Sequence, residues 1–227
     1  EGAKLFVYNP AQTIVYGAFT SENNNKTKSL LVRPLYADSI VVEYQEPLDA
    51  SFRADLHISL ATHELRKVHD FMSSNSCTAL VTDRERTETY KQAVCLQFTV
   101  TSGSAWWSSG ALINNPEHKP YVYTAGHNIV EAEWATRTIF YFNYEVPAQD
   151  ETFQPTNQLT ISGSTLLAMD TDVDFALVEL NKMPPAEYRP YYAGWTRETN
   201  PKGPFMCIHH PYGDVKKVRF VNSITTS

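Results

Sequence analysis

The apolar residues of this chain come in short runs, and each run ends at residues that turn the backbone. Leu5-Phe6-Val7-Tyr8 stops at Asn9-Pro10, and Ser39 to Tyr44 is closed by Pro47. Thr13 to Phe19 is a second β-branched, apolar stretch, followed by the polar run Ser21 to Lys26. Leu56, Ile58 and Leu60 alternate with His57, Ser59 and Ala61. Further along, Cys95 to Val100, Gly110 to Asn114, Pro120 to Thr124, Thr138 to Tyr144 and Phe175 to Leu180 are separated by Gly, Pro and Asn. Short runs rich in β-branched and aromatic residues read as strands, because a helix needs a longer periodic segment. Many such strands with regular turns point to a barrel or sandwich. Ile129 to Trp134 is suited to a short helix, and Ala61 to Phe71 is a weaker helical stretch.

Composition narrows the function classes. Hydrophobic residues are 42% and charged residues 19% of the 227, enough for a packed core. The formal net charge of −6 argues against a protein built to grip phosphate backbones, so no nucleic-acid partner is expected. No apolar run is long enough for a membrane-spanning helix. Glu1 opens the chain with neither Met nor a leader-like segment, as expected of a processed chain or a fragment. Three cysteines, Cys77, Cys95 and Cys207, leave an odd count and fit no zinc spacing. The polar stretch Phe71 to Ser76 divides the chain into a β-rich unit at 1–72 and a larger unit at 73–227.

Two segments carry chemistry. Tyr121-Val122-Tyr123-Thr124-Ala125-Gly126-His127 runs from a strand into a tight turn of small residues with a histidine at its end. Such a turn can hold an imidazole with one nitrogen aimed at a nucleophile, as a general base requires. A strand-end histidine with no chemical role is the alternative. Asp170, Asp172 and Asp174 alternate before the apolar run Phe175 to Leu180, and period two would put all three on one face. Asp174 borders the apolar run and is the candidate for burial, where it needs a partner such as a histidine N–H. A calcium loop fails at its sixth position, Phe175, and its twelfth, Asn181. Carboxylates that merely end a strand remain the other reading. His57, His63 and His69 match no ligand spacing, so no metal and no cofactor are expected.

Ser108-Ser109-Gly110-Ala111-Leu112-Ile113-Asn114-Asn115 followed by Thr124-Ala125-Gly126-His127 resembles chymotrypsin-like (trypsin-like) serine endopeptidases of the lysyl endopeptidase type. Three more segments match in order: Val173 to Leu180, Tyr191-Tyr192-Ala193-Gly194-Trp195, and Ile208-His209-His210-Pro211-Tyr212-Gly213-Asp214-Val215-Lys216-Lys217. The resemblance covers about residues 95–220. It implies an all-β fold, a chymotrypsin-like double β-barrel with an incomplete second barrel, preceded by the small β-rich unit. It implies His127 as general base and Asp174 as its orienting carboxylate. Trp195 is implied to lie near the imidazole, a core tryptophan being the alternative. His209 and His210 look structural. Lys216, Lys217 and Arg219 read most simply as a solvated strand face.

Two departures from the family pattern matter. Ser108 and Asn128 replace the two cysteines that the resemblance implies, which reads as the loss of one disulfide. No Gly-x-Ser triplet occurs among the nine glycines, and Ser104 and Ser164, which directly follow glycines, precede the His-His-Pro segment. The nucleophile and oxyanion hole are therefore expected outside this chain. The 227-residue chain alone is expected to be inactive. The N-terminal unit looks like the β-rich region that precedes such domains in secreted bacterial proteins, which implies a propeptide. The expectation is a secreted or cell-surface bacterial endopeptidase, or its zymogen, acting on protein or peptide substrates. A non-catalytic, protease-like binding protein at a bacterial surface is the alternative. The sequence leaves cleavage specificity and oligomeric state open.

Overall fold

The first apolar runs pair as expected. In the computed structural model, which describes residues 2–24, 28–51, 54–63, 79–83, 85–146 and 159–223, β1 (Lys4–Tyr8) lies between β2 (Val15–Phe19) and β3 (Val41–Gln45) and is antiparallel to both. Asn9 makes the turn that its position suggests. Its Oδ1 accepts from Ile14 N at 2.9 Å, and its Nδ2 donates to Thr13 Oγ1 at 2.7 Å. Leu56, Ile58 and Leu60 form no strand and are exposed. Alternation defines a face, but a strand also needs a neighbour for its backbone N–H and C=O groups.

The described residues form two compact units, 1–61 and 62–227. The linker expected at Phe71 to Ser76, together with His69 and Cys77, lies outside the described residues. The second unit holds β4 (Ala79–Leu80), β5 (Val94–Val100), β6 (Ala105–Ile113), β7 (Tyr121–Thr124), α1 (Ala132–Thr136) and β8 (Thr138–Phe142). It continues with β9 (Leu159–Ser162), β10 (Ser164–Asp170), β11 (Phe175–Leu180), β12 (Phe205–His209) and β13 (Lys217–Val221). Helix α1 starts three residues later than the sequence suggests, because Ile129 is fully buried in the core instead of opening a helix.

Seven strands form one antiparallel sheet in the order β10-β11-β7-β6-β5-β8-β9. Its two ends are halves of one bent segment, joined by Gly163 alone. Gly163 N donates to Thr138 O at 2.8 Å, and Gly163 O accepts from Asn181 N at 3.2 Å, so the sheet closes on itself. Gly163 has φ +77°, and a Cβ there would run into the Asn181 side chain, so the corner calls for glycine. Leu112, Val122, Ile129, Phe140, Ala176 and Val178 fill the interior, all fully buried. The all-β expectation holds: a small β-rich unit precedes a β-barrel. A separate three-stranded sheet, β12-β13-β4, stands where the second barrel is expected.

One expectation about this second sheet fails. Lys216 and Lys217 are not on a solvated face; they are 1% and 3% exposed. β13 is the central strand of its sheet, and a run of basic residues in sequence does not reveal that position. Lys216 Nζ donates to Lys91 O at 2.8 Å and lies 3.6 Å from Glu145, which also pairs with buried Lys91 at 2.9 Å. Lys217 lies 3.8 Å from buried Asp214. Arg219 is exposed, as expected. His210 is structural: it is buried, its Nδ1 lies 3.0 Å from Asp214 O, and its backbone N–H donates to Ser109 Oγ at 2.8 Å. Cys95 is a buried free thiol and Cys207 an exposed one.

Candidate active site

His127 and Asp174 are 47 residues apart in sequence and meet at one rim of the barrel. β7 and β11 are adjacent antiparallel strands, with Thr124 opposite Ala176. The chain leaves β7 through Ala125 into a single 3₁₀ turn, Gly126–Asn128, which carries His127. The β10–β11 hairpin delivers Asp174 from the other side. Asp170 pairs with Phe175, and Asp170 Oδ1 accepts from Asp172 N at 2.8 Å and Val173 N at 3.2 Å. The three aspartates therefore do not alternate along one strand. Asp170 ends β10 and ties the turn, while Asp174, at φ +52°, swings its carboxylate towards His127.

The contact between the two residues is double. Asp174 Oδ1 accepts the His127 backbone N–H at 2.9 Å, and His127 Nδ1 lies 2.9 Å from both carboxylate oxygens. An ionised carboxylate only accepts, so Nδ1 must carry the proton. That fixes the tautomer and leaves the Nε2 lone pair free. The His127 backbone N–H, followed by its ring, holds the Asp174 carboxyl below its ordinary pKa and keeps it ionised. Partial desolvation opposes this shift without reversing it; the Asp174 side chain is 49% exposed and that of His127 71% exposed, against the expectation that Asp174 is buried. The hairpin turn projects beyond the end of β11, so the apolar run that follows Asp174 does not cover it.

The Ala-Gly-Trp segment is tied to the end of β6. Ala193 N donates to Leu112 O and Asn114 N donates to Ala193 O, both at 2.9 Å. Trp195 is 65% exposed among the described residues. Ser108 and Asn128 both reach one buried polar cluster. Ser108 Oγ lies 2.9 Å from the Gln97 amide, and Asn128 Nδ2 donates to Thr124 Oγ1 at 3.2 Å. Gln97 is not among the residues that the sequence singles out; an amide inside the apolar run Cys95 to Val100 is its only signal. Among the described residues no cluster of His, Cys, Asp or Glu could hold a metal ion. No helix among them is long and apolar enough to cross a membrane.

Comparison with known proteins places the chain in a family. The chain is 29% identical over 161 residues to the lysyl endopeptidase of Pseudomonas aeruginosa PAO1, a match that covers 65% of this chain and 34% of that protein. The chain thus spans about a third of the length of this relative. Similar solved structures include the protease Anisep from Arthrobacter nicotinovorans, with a TM-score of 0.41 and 18% identity over 60% of this chain and 65% of the other. Another is the thermostable serine protease AL20 from an extremophilic microorganism, with a TM-score of 0.38 and 14% identity over 58% and 66% of the two chains. Residues 71–227, which include the whole His127–Asp174 rim, match the family described as "Lysyl endopeptidase, C-terminal domain", and the chain belongs to that family.

Proposed function

We propose that this chain is part of a secreted bacterial serine endopeptidase, or of its zymogen, in which His127 is the general base and Asp174 its orienting carboxylate. The observation that carries the reading is the contact of His127 Nδ1 with both Asp174 carboxylate oxygens. With Nδ1–H directed at Asp174, Nε2 is free to take the proton of a serine hydroxyl as that oxygen attacks a peptide carbonyl. The imidazolium so formed is stabilised by the ionised Asp174, and it then returns the proton to the leaving amine. The serine and the oxyanion donors are assigned to sequence outside these 227 residues, because no Gly-x-Ser triplet occurs within them. Trp195 is assigned a place near the imidazole, where its exposed ring can shield the pair from water. The β-rich unit is assigned a propeptide role, with the division at 72 and 73. The substrate is a protein or peptide.

The test is a peptide-library digest with the protein encoded by the whole gene, with its His127→Ala and Asp174→Asn variants, and with the 227-residue chain. Cleavage by the whole-gene protein is expected to fall by about 10⁴-fold in Asp174→Asn, because a neutral amide no longer enforces the tautomer. The loss in His127→Ala is expected to be at least as large. The 227-residue chain is expected to cleave nothing. Turnover by that chain that disappears in His127→Ala would place a nucleophile inside it. A whole-gene protein that cleaves no peptide would favour a binding role for the rim.

A further inference from the structure

The dyad is open to solvent, yet its histidine is carried on a turn anchored from inside the barrel. Gln97 lies on β5, the strand two positions from β7 in the sheet, and is fully buried. Its Oε1 is 2.9 Å from Ser108 Oγ on β6 and 3.1 Å from Thr124 Oγ1 at the end of β7. Thr124 Oγ1 in turn accepts from Asn128 Nδ2 at 3.2 Å. Both Thr124 and Asn128 are buried, and Asn128 directly follows His127 in the 3₁₀ turn.

Thr124 has one hydroxyl proton, and its Oγ1 is also 2.8 Å from Ser109 O, a carbonyl that can only accept. With Oε1 facing the two hydroxyls, Gln97 Nε2 has no partner among the described residues. Turning the amide over gives both N–H groups a hydroxyl acceptor, leaves the Thr124 proton for Ser109 O, and passes the position without a partner from the amide nitrogen to its carbonyl oxygen. In that arrangement the amide donates to Thr124 and Ser108, and Thr124 also accepts from Asn128. A buried amide that ties two strands to a third is costly to bury for packing alone, and apolar residues would fill the space without that cost.

We propose that Gln97 is a positioning residue for the His127–Asp174 pair, acting through Thr124 and Asn128 to hold the His127 turn in register with the Asp174 hairpin. The consequence of the pair for catalysis rests on the function proposed above; the positioning itself does not.

The experiment compares Gln97→Leu with Thr99→Val in the full chain. Thr99 is on the same strand, is fully buried, and shares a 2.9 Å side-chain hydrogen bond with Thr138, away from the dyad. Both variants remove buried hydrogen bonding from β5, so a merely structural role would move both alike. The readouts are the ¹⁵N shifts of the His127 imidazole, which report its tautomer, and hydrogen exchange of the His127 amide, which is bound to Asp174. Gln97→Leu is expected to reduce the Nδ1–H share and to speed exchange at His127 by roughly tenfold, with Thr99→Val leaving both near the parent values. Equal changes in the two variants, or no change in Gln97→Leu, would overturn the proposal. Should Gln97→Leu fail to fold, Asn128→Ala carries the same expectation at the far end of the relay. Cleavage assays on His127→Ala decide the function separately: an inactive whole-gene protein with an intact Gln97 effect removes the protease reading and leaves the positioning role standing.

Discussion

His210 and Lys216 are buried titratable groups with opposite consequences for pH. Burial first, and the nearby Lys216 charge second, hold the His210 imidazole well below its ordinary pKa. As pH falls through about 6.5 the unfolded chain protonates this histidine and the native chain does not, so stability drops on the acid side. Urea midpoints at pH 7 and pH 5 should therefore differ less in His210→Gln than in the parent. Burial lowers Lys216 to about 8 from 10.5, so above about pH 8 the native chain releases a proton that the unfolded chain keeps, and stability rises. Buried Cys95 opposes this: its thiol is pushed up to about 12 from 9.0, so above about pH 9 the unfolded chain loses a proton that the native chain keeps. The rise should thus be about 1 kcal/mol between pH 8 and 9 and then level off. It should vanish in Lys216→Met and continue towards pH 10.5 in Cys95→Ala, as read from chemical denaturation across that range. The burial of Lys216 was not legible in the sequence, because Lys216-Lys217-Val218-Arg219 looks the same on an edge strand as on the central one. His127 and Asp174 were legible, because each sits at the end of an apolar strand whose neighbours carry the family pattern.

The turn between β7 and α1 and the hairpin between β10 and β11 meet with little room to spare. At Gly126 a Cβ would lie 2.8 Å from Asp170 O and 3.0 Å from both Phe175 N and Phe175 O, all backbone atoms that cannot rotate away. Gly126→Ala is expected to destabilise the second unit by about 1–3 kcal/mol and to separate His127 from Asp174. Gly103→Ala, at a site with nothing within 4 Å, should do neither. Denaturation curves and exchange at the His127 amide check both. Strand existence was well read at this scale, since β1, β5, β7 and β11 fall on the apolar runs. The failures have a common cause. Leu56 to Leu60 has the alternation of a strand without a neighbour, and Asp170 to Asp174 has the spacing of a strand but the backbone of a turn. Periodicity records which side chains share a face; it does not record whether a partner strand arrives or whether φ turns positive.

The two units differ in how much they bury. In the first, Val7 is the only buried hydrophobic residue among those described, whereas the second encloses a continuous barrel core. All four tryptophans, Trp106, Trp107, Trp134 and Trp195, lie in the second unit. Denaturant titration should therefore give non-coincident curves, with backbone circular dichroism beginning to change before tryptophan fluorescence. Coincident curves would show that the units unfold as one. The bend at Gly163 has a consequence for the order in which the barrel is made. β5 to β8 can pair in sequence as a growing sheet, but β9 then extends its β8 edge while β10 reaches its β7 edge only through β11, and Gly163 is the only residue between β9 and β10. Until that corner forms, the assembling chain presents two open edges, each able to recruit a strand from another molecule. Substitution of Gly163 should thus reveal itself less as a change in the finished fold than as a concentration-dependent loss of yield during refolding, with escape from aggregation decided at a single late step of ring closure.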